Sequence, residues 1–122
     1  MRKRILVIED TPDLLDNITD ILHIEGYKVS TSSNGKEALD HLSKSRYDLI
    51  ITDLLMPVMS GFELIAFVRK NSAWNKTKII VYSAMPFIAN QDKLFEQGAN
   101  FYLKKPSSLN DLVKAVNKLV SK

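Results

Sequence analysis

Five short apolar runs alternate along this chain with five stretches of helical periodicity, and no other feature constrains the fold as much. Arg4–Ile8, Tyr27–Thr31, Asp48–Thr52, Lys78–Tyr82 and Phe101–Leu103 read as strands. The first, third and fourth are almost continuously apolar and rich in Ile and Val, as strands covered on both faces are. Between them lie helices with start and stop signals. Thr11-Pro12 offers an N-cap and a proline at the first helical position. Leu14, Leu15, Ile18, Ile21 and Leu22 follow at helical spacing, and Gly26 stops the helix. Asn34 to Glu37 opens a second helix with Ala38, Leu39 and Leu42 inward. Ser60 and Glu63 form a capping box before Leu64, Ile65 and Val68. A less periodic helix runs from about Phe87 to Gln97 and stops at Gly98. Ser108 caps a last helix with Leu109, Leu112, Val113, Val116, Leu119 and Val120 on one stripe. Five βα units with short connections predict an α/β fold, doubly wound: a parallel sheet with helices on both faces.

A chain of 122 residues is enough for one domain around one core, and we read residues 1–122 as such. There is no cysteine, which excludes disulfides and thiolate metal sites. The basic start Arg2-Lys3-Arg4 precedes an apolar run too short for a signal sequence or a membrane span, so a cytoplasmic location is expected. The net charge of +3 raises the question of nucleic acid. The basic residues are scattered along the sequence, however, and no recognition helix is evident, so direct nucleic-acid binding is not expected.

The polar residues at the ends of the strands carry the chemistry. Glu9-Asp10 ends the first run, Asp53 the third and Ser83 the fourth, and Lys105-Pro106 follows the fifth. Open parallel sheets bind ligands beyond the carboxyl ends of their strands. Any one acid there could be a turn residue or a cap. Acids ending two strands expected to be neighbours repel one another, and a bound Mg²⁺, which takes oxygen ligands, would relieve that repulsion.

Val7-Ile8-Glu9-Asp10, the stretch Asp53-Leu54-Leu55-Met56-Pro57-Val58-Met59-Ser60-Gly61, Ser83-Ala84 and Tyr102-Leu103-Lys104-Lys105-Pro106 together resemble the receiver domain of bacterial two-component response regulators. The likeness runs from about Arg4 to Lys118, and the intervals fit: 43 residues from Asp10 to Asp53, 30 on to Ser83 and 22 on to Lys105. It implies a CheY-like, flavodoxin-like (βα)5 sandwich of three layers with strand order 2-1-3-4-5. It also implies Asp53 as phosphoacceptor from a kinase's phosphohistidine, yielding a labile acyl phosphate. Asp10 and the Leu55 backbone carbonyl would bind Mg²⁺ beside Asp53, with Glu9 acting through water or as outer support. Lys105 would pair with Asp53 and then with a phosphoryl oxygen. Lys104 is the rival ammonium, but strand alternation points it the other way. Ser83 and Tyr102 would form a switch acting on the surface of the fourth helix, fifth strand and fifth helix. Pro57, Gly61 and Pro106 would be structural, Pro106 through a cis peptide. The implied partners are a sensor histidine kinase or phosphotransfer protein and a downstream effector, with no membrane. The chain would be a monomer or a phosphorylation-dependent dimer. It would act only on itself and so would not be an enzyme with a diffusible substrate.

Departures from the pattern matter. Leu55 and Met85, each two residues beyond a site residue, are large and apolar and cannot hydrogen-bond an attacking water, which points to a long-lived phosphoryl group. Phe87 and Ile88 could belong to an apolar partner surface or to ordinary packing. Met56 and Met59 read as core filler around Pro57, Trp74 as a cover over an edge of the core, and His23 and His41 as isolated. Three further readings compete with a phosphoaccepting receiver. A Mg²⁺-dependent phosphatase with an aspartyl nucleophile would want a second acid where Leu55 stands. A flavodoxin-like electron carrier would want a glycine- and hydroxyl-rich loop where Glu9-Asp10-Thr11-Pro12-Asp13 stands. A degenerate receiver that only binds partners would not need the full set of acids, serine and lysine.

Overall fold

A computed structural model describes residues 2–85 and 88–120, with side chains left out of account at 88–91. The elements alternate strictly: β1 Arg4–Ile8, α1 Pro12–Ile24, β2 Lys28–Ser32, α2 Gly35–Lys44, β3 Leu49–Thr52, α3 Gly61–Lys70, β4 Lys78–Ser83, α4 Ile88–Gln97, β5 Phe101–Lys104 and α5 Leu109–Val120. All strand pairs are parallel, in the order β2-β1-β3-β4-β5. The expected α/β architecture and strand order are both present. No helix among the described residues is long and apolar enough to cross a membrane.

The pleat divides the core in two. Ile5, Val7, Leu49, Ile51 and Ile80 face α1 and α5, where Ile18, Leu22, Leu112 and Val116 meet them. Their chain neighbours Leu6, Ile8, Ile50, Ile79 and Val81 face α2, α3 and α4, against Leu42, Leu64, Val68 and Leu94. Successive strand residues point to opposite faces, so strands buried on both sides must be apolar throughout. Trp74 covers the edge of the second core, stacked on Phe67 at 5.9 Å, and Met56 and Met59 fill it near Pro57, as expected.

The caps largely follow the sequence signals. Asn34 Oδ1 accepts from Glu37 N–H, Ser60 and Glu63 complete their capping box, and Ser108 Oγ accepts from Asp111 N–H. Thr11 is a correction: it stands at the N-cap of α1, but its side chain makes no cap hydrogen bond. Its backbone N–H donates instead to Glu9 Oε2 at 3.2 Å, so this turn is held by the acid before it. The second strand starts one residue later than the apolar pattern predicts. Gly26 takes φ +94°, and the N–H groups of Gly26 and Tyr27 return to the carbonyls of His23 and Leu22. This left-handed closure of α1 consumes Tyr27 N–H before the strand can use it. Phe87 and the side chain of Ile88, read above as a candidate partner surface, lie outside the described residues.

Candidate functional site

Three backbone hydrogen bonds extend the sheet past its strands and aim the polar residues. Glu9 N–H donates to Ser32 O at 3.0 Å, Asp53 N–H to Ile8 O at 3.3 Å and Lys105 N–H to Ser83 O at 2.8 Å. Each continues a parallel ladder by one step. The residues that follow β1, β3 and β5 therefore converge at the carboxyl edge.

At that edge Lys105 Nζ lies 2.7 Å from Glu9 Oε1 and 2.8 Å from Asp53 Oδ2. The lysine was expected on Asp53; its second partner, Glu9, was not anticipated. Glu9 is 2% exposed, and a carboxylate so buried needs a cation or donors. Burial alone would depress the Lys105 ammonium, but its hydrogen bonds to Asp53 and then Glu9, with their charges, outweigh it and hold it above its ordinary value. Lys105 is therefore a cation at neutral pH. Its Nζ also lies 5.3 Å from the centre of the Tyr82 ring, whose hydroxyl donates to Ser107 O at 3.3 Å. Tyr82 thus supports the lysine from beneath and ties down the loop that follows it. Nothing in its sequence position distinguishes it from an ordinary core aromatic. Lys104 is exposed, and among the described residues the ion pairs to Glu9 and Asp53 are made by Lys105.

The other Asp53 oxygen, Oδ1, accepts from Leu54 N–H at 2.6 Å and Leu55 N–H at 3.3 Å. The carboxylate is held in one orientation by backbone on one side and ammonium on the other. Glu9, Asp10 and Asp53 each present an oxygen within 4.8 Å of the others, with Asp10 exposed. Three hard oxygen donors at that separation, one open to solvent, suit a divalent cation that keeps part of its water shell. His23 and His41 belong to no such cluster among the described residues.

The loop after Asp53 explains the glycine. A Cβ on Gly61 would stand 2.2 Å from Asp53 O, and Gly61 N–H donates to Leu54 O at 2.9 Å. Only glycine lets the start of α3 rest on the backbone of Asp53. Pro57 O accepts from Met59 N–H at 2.8 Å across Val58, which has φ +72°. Pro106 follows a cis peptide, as the likeness implied.

Ser83 and Tyr102 meet through a third residue. Ser83 is fully buried, and its Oγ accepts from Met85 N–H at 3.4 Å. The half-buried Tyr102 donates its hydroxyl to Met85 O at 2.8 Å. Burial first, and the Asp53 charge second, hold the Tyr102 phenol above its ordinary value. Met85 was singled out for its side chain; its backbone is what joins the two expected switch residues. Leu55 is 63% exposed beside the site, where it can neither donate nor accept a proton as the phosphatase reading would require.

Comparison with known proteins agrees with this geometry. A family model described as the response regulator receiver domain matches residues 5–117. The transcriptional regulatory protein CrdR of Helicobacter pylori is 36% identical over 112 residues, 92% of this chain and 52% of that protein. The sensor histidine kinase TmoS of Ectopseudomonas mendocina is 38% identical over 118 residues, 97% of this chain and 12% of that one. The chain thus spans about half of one such relative and far less of the other. Among solved structures, the chemotaxis response regulator CheY4 of Vibrio cholerae superposes with TM-score 0.91 at 30% identity, covering 98% of this chain and 99% of that one. The receiver domain of sensor histidine kinase PA1611 from Pseudomonas aeruginosa, crystallised with a magnesium ion in its active-site cleft, gives TM-score 0.89 at 25% identity over 100% of both chains.

Proposed function

This chain belongs to the response regulator receiver domain family, and from that premise we propose that Asp53 accepts a phosphoryl group from a histidine kinase or phosphotransfer protein. The observation that carries the reading is Lys105 Nζ bridging Asp53 Oδ2 and Glu9 Oε1 within hydrogen-bond distance, beside a cluster completed by Asp10. A carboxylate oxygen of Asp53 bonds to phosphorus as the bond from phosphorus to the donor histidine nitrogen breaks, and the electron pair leaves with the imidazole. Asp53 gives up negative charge as its bond to phosphorus forms, while the phosphoryl oxygens bring their own negative charge up against the neighbouring acids. Lys105, already 2.8 Å from the carboxylate, moves with little reorganisation onto a phosphoryl oxygen. Asp10, Asp53 and the Leu55 carbonyl would hold Mg²⁺, with Glu9 outside them, and the bound ion would neutralise phosphoryl charge. The product is the modified chain itself, so there is no diffusible substrate to turn over. The expected setting is the cytoplasm, the partners being the kinase and an effector that reads the α4-β5-α5 surface.

The switch uses the Met85 backbone. When Ser83 Oγ turns to donate to a phosphoryl oxygen, it gives up the weak 3.4 Å bond from Met85 N–H. The Met85 carbonyl, bonded to Tyr102 at 2.8 Å, carries that change to β5. Two conformations of one fold exchange weight, and phosphorylation biases them.

Acetyl phosphate with Mg²⁺ tests the reading. Intact-mass measurement should find one added phosphoryl group on the parent and none on Asp53→Asn. An unmodified parent that still binds Mg²⁺ would overturn autonomous phosphorylation.

A further inference from the structure

At the opposite edge of the sheet from Asp53, six exposed cations stand where strands begin: Arg2 and Lys3 before β1, Lys28 opening β2, Arg46 before β3, and Lys76 and Lys78 at the entry to β4. In the sequence they are scattered. The strand order β2-β1-β3-β4 makes them neighbours. Arg4 is level with Lys28, and Ile5 with Leu49, which in turn is level with Lys78, so Lys28 and Lys78 stand level to within a residue, and the other four cations lie one to three residues before the first paired residue of their strands. With strands about 4.8 Å apart, four strands carry the row across roughly 15 Å.

Helix C-termini attract cations, and that preference accounts for Lys44 and Lys70 in the last turns of α2 and α3. It does not account for residues that open strands. The acids of this edge are few: Glu25, Asp48 and Glu96. Asp48 Oδ2 accepts from Arg4 N–H at 2.8 Å. Among the described residues none of the six cations forms an ion pair; both ion pairs belong to Lys105. Beside the row lies a groove of about 460 Å³ whose walls include Arg46, Lys76, Tyr47, Trp74 and Asn75, and also Asp48, whose carboxylate is engaged by Arg4 N–H. Arg4 lies over the Tyr47 ring at 5.6 Å, and its Nε is buried with no hydrogen-bond partner among the described residues.

We propose that this amino-terminal edge docks the phosphodiester backbone of nucleic acid without reading its sequence. A band of exposed cations with no ion pair among the described residues matches a linear polyanion. The groove adds the half-buried Trp74 and the exposed Asn75 as neighbours of the cations. An anionic bilayer fits less well, because a membrane face needs contiguous apolar residues to insert, and the exposed ones near this edge are divided, Ile24 on α1 over one face of the sheet and Phe67 and Phe95 on α3 and α4 over the other. The scattered spacing that argued against nucleic acid in the linear sequence is gathered into one surface by the fold. The proposal is independent of Asp53 chemistry, which lies at the other end of the strands.

Fluorescence anisotropy of the full chain with a labelled 20-bp duplex of arbitrary sequence, and with its single strand, tests this. A 15 Å row faces about four phosphates of one strand, which predicts affinity weakened about 100-fold between 50 and 200 mM NaCl. Reversing charge with Arg46→Glu/Lys76→Glu should weaken binding at least about tenfold. Lys36→Glu/Lys114→Glu, with the same net charge but away from the row, should track the parent within about twofold, and Asp53→Asn should bind like the parent. The proposal is overturned by no anisotropy change at 50 mM salt up to about 100 μM protein, the weak end of non-specific binding. Equal loss in the two double variants would reduce the effect to net charge and also overturn it. Binding to phosphatidylglycerol vesicles or polyglutamate without binding to either DNA would reassign the surface to another polyanion.

Discussion

Val58 is the residue at which local and global demands conflict most openly. A β-branched side chain at φ +72° clashes with its own backbone, and the Met59-to-Pro57 hydrogen bond around it closes the strained form of a γ-turn. Its neighbours impose the conformation: Gly61 sits on the backbone of Asp53 and Leu54, and Met59 packs so closely on Gly35 that a Cβ there would lie 2.9 Å from it. The Val58 side chain is 74% exposed, so replacing it sacrifices no core. Val58→Asn, which tolerates the left-handed region, should therefore stabilise the fold by about 1 kcal/mol. Urea unfolding would register this as a higher midpoint at unchanged slope; an unchanged or lower midpoint would show that the turn is not strained. Leu55 poses a kinetic question in the same loop. Its exposed side chain offers a hydrolytic water no hydrogen bond, so the phosphoryl group on Asp53 should persist for minutes or longer. Leu55→Asn should shorten that lifetime roughly tenfold, about the 1.4 kcal/mol that one hydrogen bond to the attacking water contributes. Decay within seconds in the parent would refute the long-lived state.

At the scale of elements, the strands and helices were legible because each carries its own signal: branched apolar runs, helical periodicity, Asn34, Ser60 and Ser108 as caps, Gly26 and Gly98 as stops. The Asp10, Asp53 and Lys105 convergence was legible too, because strand ends of a parallel sheet share an edge. Contacts between distant elements leave no such trace. Tyr82 beneath Lys105, Glu9 as the second partner of that lysine, and Met85 backbone between Ser83 and Tyr102 depend on rotamers and loop paths that no local pattern encodes. Arg69 is the clearest case. From the last turn of α3 its guanidinium donates to Gly98 O, Thr77 O and Asn75 O and to Asn100 Oδ1, joining the end of α4 to the entries of β4 and β5. Burial lowers its affinity for a proton somewhat, yet arginine stays charged. Arg69→Met would keep the aliphatic stem and leave those carbonyls without their donor. It should cost about 3 kcal/mol, given that a hydrogen bond to a charged group contributes about 1.5–3 kcal/mol. Hydrogen exchange should quicken first at Gly98 and Ala99, whose N–H groups close α4. Protection lost evenly across the sheet would mean that Arg69 is not a local clamp.

For the whole molecule, the fold separates charge: acids gather at the carboxyl edge of the sheet and cations at the amino edge. The acidic pole is a standing liability. Glu9, Asp10 and Asp53 crowd within 4.8 Å, with Lys105 bonded to only two of them. Among the described residues Asp10 is the member without an ion pair, so Asp10→Asn should stabilise the Mg²⁺-free protein by roughly 1–2 kcal/mol, the Coulomb cost of one extra charge a few ångströms from two others near the surface. Mg²⁺ should reverse the order. A ligand at 100 times its dissociation constant stabilises a fold by about 2.7 kcal/mol, and the parent alone retains the full acidic set. The melting temperatures of parent and variant should therefore cross as Mg²⁺ is added, the variant melting roughly 4 °C higher without the ion and lower with it. Lys105 does not disturb this comparison near neutrality. Its folded value is raised, so the stability it contributes is fully present below its ordinary value of 10.5 and is lost only as pH rises through the higher folded value. The crossing should accordingly keep its sense between about pH 7 and pH 9. Parallel shifts of parent and variant with Mg²⁺ would mean that the ion binds elsewhere, and a variant less stable than the parent without Mg²⁺ would mean that Asp10 serves the fold rather than the site.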